Sequence, residues 1–316
     1  MRYVFFVNPA AGQGKGIRSL VENIQHTAQE AGVPCKIYQT QGPGDGEREA
    51  RVLAEAFPEE EMRFYVCGGD GTVNEVINGI IGRPNIAVGV VPIGTGNDLV
   101  RNFQEGGDFT CIAAQIAGED RPMDLIRYEG VIDGRFQIRY CANMFNIGFD
   151  CNVVELAGRL KKKPLISGSM AYMMAVFGMF AKKKGIRLRI QRGGKPVREG
   201  EMLLCAVANG GYCGGGIHSS AKGQLDDGLF ELNIISEPTR REFMKLFPAY
   251  KNGTHLEADP EGHIATMEQC SELTLLPYEE KTFVFCVDGE ISETEGLELS
   301  VAPRALRFIV PRPIAD

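Results

Sequence analysis

Val66-Cys67-Gly68-Gly69-Asp70-Gly71-Thr72-Val73-Asn74-Glu75 runs out of an apolar segment, Phe64 to Cys67, and into the helical spacing of Val73, Val76, Ile77, Ile80 and Ile81. That order reads as a buried strand, a tight glycine turn and an amphipathic helix. Three glycines in four residues allow positive φ and let a ligand sit against main-chain N–H groups. Asp70 falls at the opening of the helix, where a carboxylate can cap the helix or position a metal or a water beside a bound phosphate. Taken alone, the unit also fits an ordinary structural turn. A second glycine-rich element, Pro92-Ile93-Gly94-Thr95-Gly96-Asn97-Asp98-Leu99, follows the strand-like Ile86 to Val91. Two such loops at strand ends fit a phosphate-binding crevice.

Upstream, Tyr3 to Val7 reads as a first strand leading into Asn8-Pro9-Ala10-Ala11-Gly12-Gln13-Gly14-Lys15-Gly16 and a helix that ends near Gly32. The loop departs from the Walker A pattern, because no Ser or Thr follows Lys15 and Gly-x-x-x-x-Gly-Lys is absent. Nor does it carry the dinucleotide fingerprint with its downstream acid. A loop with one lysine before a helix N-terminus can still hold phosphate oxygens; the plainer alternative is a strand–helix turn with a solvated lysine. Cys35 to Thr40 reads as a second strand, and Glu47 to Phe57 and Cys111 to Ala117 as helices. Strands alternating with helices imply a parallel α/β sheet with helices on both faces. Such sheets bind ligands beyond the carboxyl ends of their strands, where Asn8, Thr40, Gly68 and Pro92 lie.

The 316 residues suggest about two domains. With 44% hydrophobic and 24% charged residues the chain has the composition of a globular protein. A net charge of -7 and a pI near 5.4 argue against a nucleic-acid binder, which would carry a basic face. The nine cysteines are scattered without a Cys-x-x-Cys pair, as expected of reduced thiols. The four histidines, His26, His218, His255 and His263, do not pair with cysteines at zinc-ligand spacing. No segment approaches the roughly twenty apolar residues of a membrane span, and Met1 to Asn8 is too short for a signal peptide. The expectation is a cytoplasmic protein, peripheral at the inner membrane face.

After Met123-Asp124-Leu125 the texture changes. Glycines punctuate β-like runs at Phe136 to Tyr140, Ile186 to Ile190, Met202 to Ala208, Phe230 to Ile235, Glu272 to Leu276 and Thr282 to Val287. That spacing predicts an antiparallel sandwich or barrel, interrupted by helical pieces at Asn152 to Leu160 and Ser169 to Lys183. The second piece carries four methionines between Met170 and Met179, with Lys161-Lys162-Lys163 before it and Lys182-Lys183-Lys184 after it. It reads as a core helix with solvated ends, or as a Met-lined wall for an acyl chain with lysines facing anionic head groups. Leu306 to Val310 either closes the second domain or returns to the first.

Two carboxylate sites stand in this second half. Gln224-Leu225-Asp226-Asp227-Gly228-Leu229 supplies hard oxygen ligands suited to Mg²⁺ or Ca²⁺, or is an Asp-Gly turn. Val287-Asp288-Gly289-Glu290 places two carboxylates at a strand end; one can serve as general base on a hydroxyl, and the alternative is a hairpin turn.

Taken together, Gly68-Gly69-Asp70-Gly71-Thr72-Val73-Asn74-Glu75-Val76, Pro92-Ile93-Gly94-Thr95-Gly96-Asn97-Asp98 and Val287-Asp288-Gly289-Glu290 resemble the diacylglycerol kinase catalytic-domain superfamily, in their order as well as their content. Asn8-Pro9 with its glycine loop and Leu225-Asp226-Asp227-Gly228-Leu229-Phe230 fit the same pattern, so the resemblance covers nearly the whole chain. Length and domain order are most similar to the soluble bacterial lipid kinases. The resemblance implies a three-layer α/β nucleotide domain like that of NAD kinases and phosphofructokinases, over residues 1–124 and completed by 304–316. It implies a C-terminal β-sandwich lipid domain over 125–303, with the site in the cleft between. It implies an ATP-dependent lipid kinase with Mg²⁺, acting on a lipid alcohol such as diacylglycerol at a membrane surface, in a family that includes homodimers. By the same resemblance Asn8, Pro9, Ala10, Ala11, Gly12, Thr40, Gly68, Gly69, Asp70, Gly71, Thr72, Val73, Asn74 and Thr95 are expected to bind nucleotide. Gln224, Asp227 and Leu229 are expected to bind magnesium, the first and last through backbone carbonyls, and Glu290 is the expected general base.

The chemistry of the residues agrees. Phosphoryl transfer needs positioning, charge neutralisation and an oriented nucleophile; glycine-loop N–H groups and Lys15 would hold phosphates, while Asp70 and Asp98 organise the Mg²⁺ carried by ATP. Two rivals remain at this level. An NAD kinase shares the Gly-Gly-Asp-Gly-Thr element but uses a downstream Asn-Glu dipeptide, where this chain has Asn146-Ile147-Gly148. A non-catalytic sensor of nucleotide or lipid is opposed by the intact Asp70 and Glu290.

Overall fold

The computed structural model describes residues 1–103, 105–149, 151, 153, 156 and 185–313. By its internal contacts the chain divides into two compact units: Met1–Asp124 with Pro303–Asp316, and Leu125–Ala302.

The first unit is built on β1 (Arg2–Val7), β2 (Cys35–Gln39), β3 (Met62–Gly68) and β4 (Ile86–Pro92), with helices α1 (Ile17–Glu30), α2 (Asp45–Ala56), α3 (Asp70–Gly79) and α4 (Ile112–Ile116). The strands pair in parallel in the order β4-β3-β1-β2. A fifth parallel partner adds to β4, through Arg307 opposite Ala87 and Phe308 opposite Val88. Because side chains alternate along a strand, Phe5, Val7, Tyr65, Cys67, Ala87 and Val91 share one face with Ile24 of α1 and Ile112 of α4. Val4, Phe6, Phe64, Val66, Val88 and Val90, equally buried, alternate with them and take the opposite face. Buried on both faces, these strands read as continuous apolar runs, as parallel strands do.

The second unit adds β5 (Glu119–Ile132), β6 (Arg135–Cys141), β7 (Met144–Gly148), β8 (Ile186–Arg192), β9 (Lys195–Met202), β10 (Leu204–Ala208), β11 (Tyr212–Cys213), β12 (Ile217–His218), β13 (Phe230–Ile235), α5 (Arg240–Lys251), α6 (His255–Ala258), β14 (Ala265–Cys270), β15 (Glu272–Pro277), β16 (Phe283–Val287) and β17 (Glu290–Val310). β5 and β17 each run across the boundary into the first unit. One antiparallel layer runs β14-β13-β10-β7-β16-β17; β15 pairs with β17 and β8, β9 with β8, and β6 with β5. Among the side chains of the core are Tyr128, Phe145 and Phe285, with Phe145 and Phe285 stacked at 4.9 Å. The fold is thus an α/β unit followed by a β-sandwich.

Several expectations need correction. Met202 to Ala208 is not one strand: β9 ends at Met202, and β10 begins at Leu204 with a different partner. Helix α5 was not anticipated, although Thr239-Arg240-Arg241-Glu242 is a capping box in sequence and in structure; Pro248 inside it masks the helical reading. Leu306 to Val310 is no such correction: of the two placements left open for it, its contacts are those of the first unit. The expected helices at Asn152 to Leu160 and Ser169 to Lys183, with their lysine clusters, lie almost entirely outside the described residues. Among the described residues no helix is long and apolar enough to cross a membrane.

Candidate active site

In the first unit the chain passes from β1 to β2 on one side and then to β3 on the other. Such a reversal opens a crevice beyond the carboxyl ends of the two central strands, and open α/β sheets bind their ligands there. The loops after β1 and β3 meet at this point. Asn8 continues the ladder by donating its N–H to Cys67 O at 2.9 Å. Its Oδ1 accepts the Ala10 N–H at 2.9 Å, an Asx turn that folds Pro9, Ala10 and Ala11 back. Its Nδ2 donates to Thr72 Oγ1 at 2.9 Å, tying one loop to the other. Pro9, Ala10 and Lys15 are exposed. Gly12, at φ 58°, leaves only 3.0 Å between a would-be Cβ and Ile93 O, which brings in the loop after β4.

That third loop is held by Gly68 O, which accepts the N–H groups of Ile93 at 3.2 Å and Gly94 at 3.1 Å. Asp70 supplies the second hold. Its own helix begins at Gly69 without a side-chain cap, so the capping role considered for Asp70 is not what it does. Its Oδ2 accepts the Asn97 N–H and its Oδ1 the Asp98 N–H, each at 2.9 Å. Burial pushes the Asp70 carboxyl above the usual range, and the N–H groups of Asp98, Leu99 and Asn97 oppose that rise. The side chains of Thr72, Val73 and Asn74 are buried, Val73 also giving its N–H to Gly69 O at 3.1 Å. Gly69, Asp70 and Gly71 are half-buried and Thr95 is exposed. Thr40, at the end of β2, is buried and donates its N–H to Val7 O at 2.9 Å.

The donor set fits a magnesium ion that arrives with its phosphates. Asp70 accepts N–H groups on both of its oxygens, and Asp98 has Oδ1 3.6 Å from Arg101 Nε. Hard carboxylate oxygens suit Mg²⁺, which keeps water and substrate oxygens among its ligands. Among the described residues no three His, Cys, Asp or Glu side chains gather as a metal cage, so protein carboxylates alone would not enclose the ion.

Glu75 escaped the sequence reading. Its Oε1 accepts the Gly44 N–H at 2.8 Å and its Oε2 the Gly46 N–H at 3.0 Å, clamping the loop between β2 and α2 to α3. A glutamate amid the apolar positions Val73, Val76 and Ile77 was the available signal.

The remaining candidates belong to the second unit. Glu290 is exposed and follows a two-residue turn, with Val287 as its register partner. Asp227 is exposed, and its Oδ1 accepts the Leu229 N–H at 2.9 Å. Gln224 is exposed in the same loop. The Asp-Gly turn is therefore formed, with the Asp227 carboxylate folded back on its own loop. Sequence reading also missed an apolar pocket lined by Phe149, Leu204, Ile235, Phe243, Leu246 and Tyr250 among others. Its signal was divided between a strand pair and the unanticipated α5.

Comparison with known proteins bears on the whole chain. The family model for the diacylglycerol kinase catalytic domain matches residues 2–128, and that for the YegS C-terminal NAD kinase beta sandwich-like domain matches residues 143–310. A diacylglycerol kinase of Staphylococcus aureus is 30% identical over 251 residues, covering 78% of this chain and 75% of that protein. A diacylglycerol kinase of Mycobacterium tuberculosis is 24% identical over 316 residues, covering 96% and 94%. A crystal structure of a diacylglycerol kinase from Bacillus anthracis superposes with a TM-score of 0.67 at 19% identity, over 98% of this chain and 96% of that one. That last likeness speaks for the fold alone.

Proposed function

We propose a specific reaction for a chain that belongs to the diacylglycerol kinase catalytic-domain superfamily, in its bacterial lipid kinase branch. The chain is a lipid kinase; the proposed reaction is transfer of the γ-phosphoryl group of ATP to the hydroxyl of a lipid alcohol such as diacylglycerol, with Glu290 as general base. The observation that carries the nucleotide half is the Asn8–Thr72 bond across the reversal between β1 and β3, which joins two loops rich in main-chain donors.

Each group has a task. Asn8 to Gly12, Thr40, Gly68 to Asn74 and Thr95 form the nucleotide site, and Lys15, exposed beside α1, adds a mobile positive charge for phosphate. Mg²⁺, when bound with ATP, neutralises phosphate charge, with Asp70 and Asp98 as its protein carboxylates. Asp70 also shapes the Gly94 loop, so a substitution there acts on geometry as well as charge. Glu290 takes the proton of the attacking hydroxyl. An aliphatic alcohol is a weak acid, so this help comes in the transition state, as the oxygen gives up charge to phosphorus. Gln224, Asp227 and Leu229 hold a second, structural Mg²⁺. The pocket of the second unit has the apolar lining of a ligand site, and we assign it to an acyl chain of the substrate, which implies work at a membrane surface.

The test is transfer of labelled γ-phosphate from ATP with Mg²⁺ to a panel of lipid alcohols in mixed micelles, with Glu290→Gln and Asp70→Asn beside wild type. The expected result is a labelled lipid whose formation falls roughly 100-fold or more in Glu290→Gln. Label appearing on NAD, or no product from protein that still binds ATP, would overturn the proposal.

A further inference from the structure

We propose that Asp288 is a positioning residue for Glu290, an inference that rests on the reading of Glu290 as general base. Val287 and Glu290 are register partners, and between them Asp288 and Gly289 have φ of 47° and 95°. Positive φ at both central residues is what a two-residue type I′ turn requires, and Asp-Gly is among the pairs that supply it. The turn itself asks nothing of the aspartate side chain.

The side chain is nevertheless fully engaged. Asp288 Oδ1 accepts the Met144 N–H at 3.1 Å and the Cys141 S–H at 3.7 Å, while Oδ2 accepts the Ala142 N–H at 3.2 Å. Its own N–H donates to Met144 O at 3.2 Å. The turn is therefore fastened to the bend between β6 and β7. That bend is held in turn from its other side: Asn209 Nδ2 donates to Ala142 O at 2.9 Å, and Asn143 O accepts the N–H groups of Asn209 at 2.9 Å and Gly210 at 3.1 Å. Below it, the stacked Phe145 and Phe285 join β7 to β16.

A two-residue hairpin tip is free to twist about its own strands. Bonds to a charged acceptor are stronger than neutral ones, so twisting this tip costs the Ala142 and Met144 bonds together. Glu290 is the first residue beyond the tip and takes its direction from it. The carboxylate of Asp288 fixes the bearing of the carboxylate two residues on.

Asp288→Gly separates the two roles. Glycine accepts a φ near 47° and keeps the turn, while every bond from the carboxylate is lost. Asp288→Asn keeps both the turn and one acceptor oxygen. In the lipid kinase assay kcat is expected to fall roughly 10- to 100-fold in Asp288→Gly, with the KM for ATP unchanged and partial recovery in Asp288→Asn. Each variant is also measured in a Glu290→Gln background. There Asp288→Gly should have no further effect on the residual rate, because the group it positions is already disabled. Losses that multiply would overturn the inference and make Asp288 a stability residue alone. Wild-type kcat in Asp288→Gly, with Glu290→Gln inactive, would overturn it while leaving the general base in place. Full activity in Glu290→Gln would overturn the general-base reading and this inference with it.

Discussion

Gly69 and Gly94 stand back to back at the ends of β3 and β4: a Cβ on Gly94 would lie 2.4 Å from the Gly69 Cα and 2.8 Å from Asn97 Oδ1. Backbone cannot yield to such an atom as a flexible side chain can. Gly94→Ala is expected to cost about 2 kcal/mol or more and to weaken ATP binding at least about tenfold as the Asp70-bound loop shifts. Gly134→Ala is the control, since Gly134 has φ 77° and nothing within 4 Å of its would-be Cβ. It should cost only about 1–2 kcal/mol and leave ATP affinity unchanged. Urea denaturation and nucleotide titration measure both.

The Asn8–Thr72 bond offers a milder probe of the same crevice. Thr72→Val preserves shape and removes the acceptor for Asn8 Nδ2. We expect about 1 kcal/mol of lost stability and a higher KM for ATP, with kcat changed less. Equal loss of kcat at unchanged KM would mean that the bond serves the chemical step and not binding.

Glu75→Gln replaces one of two acceptors by a donor facing the Gly46 or Gly44 N–H. The amides between Gln41 and Arg48 should then exchange hydrogen faster, while those of β3 remain protected. The stability cost should be about 1–3 kcal/mol. Unchanged exchange in that loop would show that the clamp does not hold it.

Narrowing the apolar pocket tests its assignment. Leu246→Trp adds bulk at its lining and should lower kcat/KM for long-chain lipid alcohols by roughly tenfold relative to short-chain ones. A uniform loss across chain lengths would remove the acyl chain from this pocket.

His255 makes stability depend on pH. It is 1% exposed, packs on the Tyr250 ring at 5.1 Å, and its Nδ1 has no hydrogen-bond partner among the described residues. Burial lowers its pKa below the ordinary 6.5, and the nearby His218 lowers it further. As pH drops below 6.5 the unfolded chain takes up a proton that the folded one refuses, so stability falls. The slope from this group is at most about 1.4 kcal/mol per pH unit. Above that range His255 is neutral in both states and contributes no slope. His255→Gln should flatten the curve of unfolding free energy between neutral and mildly acidic pH.

How much of this was legible follows from the distance over which each feature is decided. The α/β unit was plain, because each strand, glycine loop and helix is a local pattern, and the family motifs lie within those loops. The partner of Asp70 was not, since it depends on a loop 27 residues away coming to rest against it. β17 was read only at its end, because Glu290 to Thr294 pair with β16 and Leu297 to Ser300 with β15, a change of partner that no alternation announces. Asp288 looked like turn chemistry and is that; its hold on Ala142 and Met144 spans 146 and 144 positions. The methionine-rich segment from Ser169 to Phe180 lies outside the described residues, and its two readings stand as they did.

The pairing of Phe308 with Val88 has a consequence for synthesis. The strand that flanks β4 is made roughly 200 residues after it, which at about 5–20 residues per second is a delay of ten seconds or more. Throughout that interval β4 carries an open row of donors and acceptors, the kind of edge on which foreign strands assemble. A nascent chain of this protein must therefore wait, with its first sheet unfinished, for the entire sandwich to be translated. Chaperone capture of this chain should persist through that window and end only once Arg307 and Phe308 have left the ribosome and paired with β4.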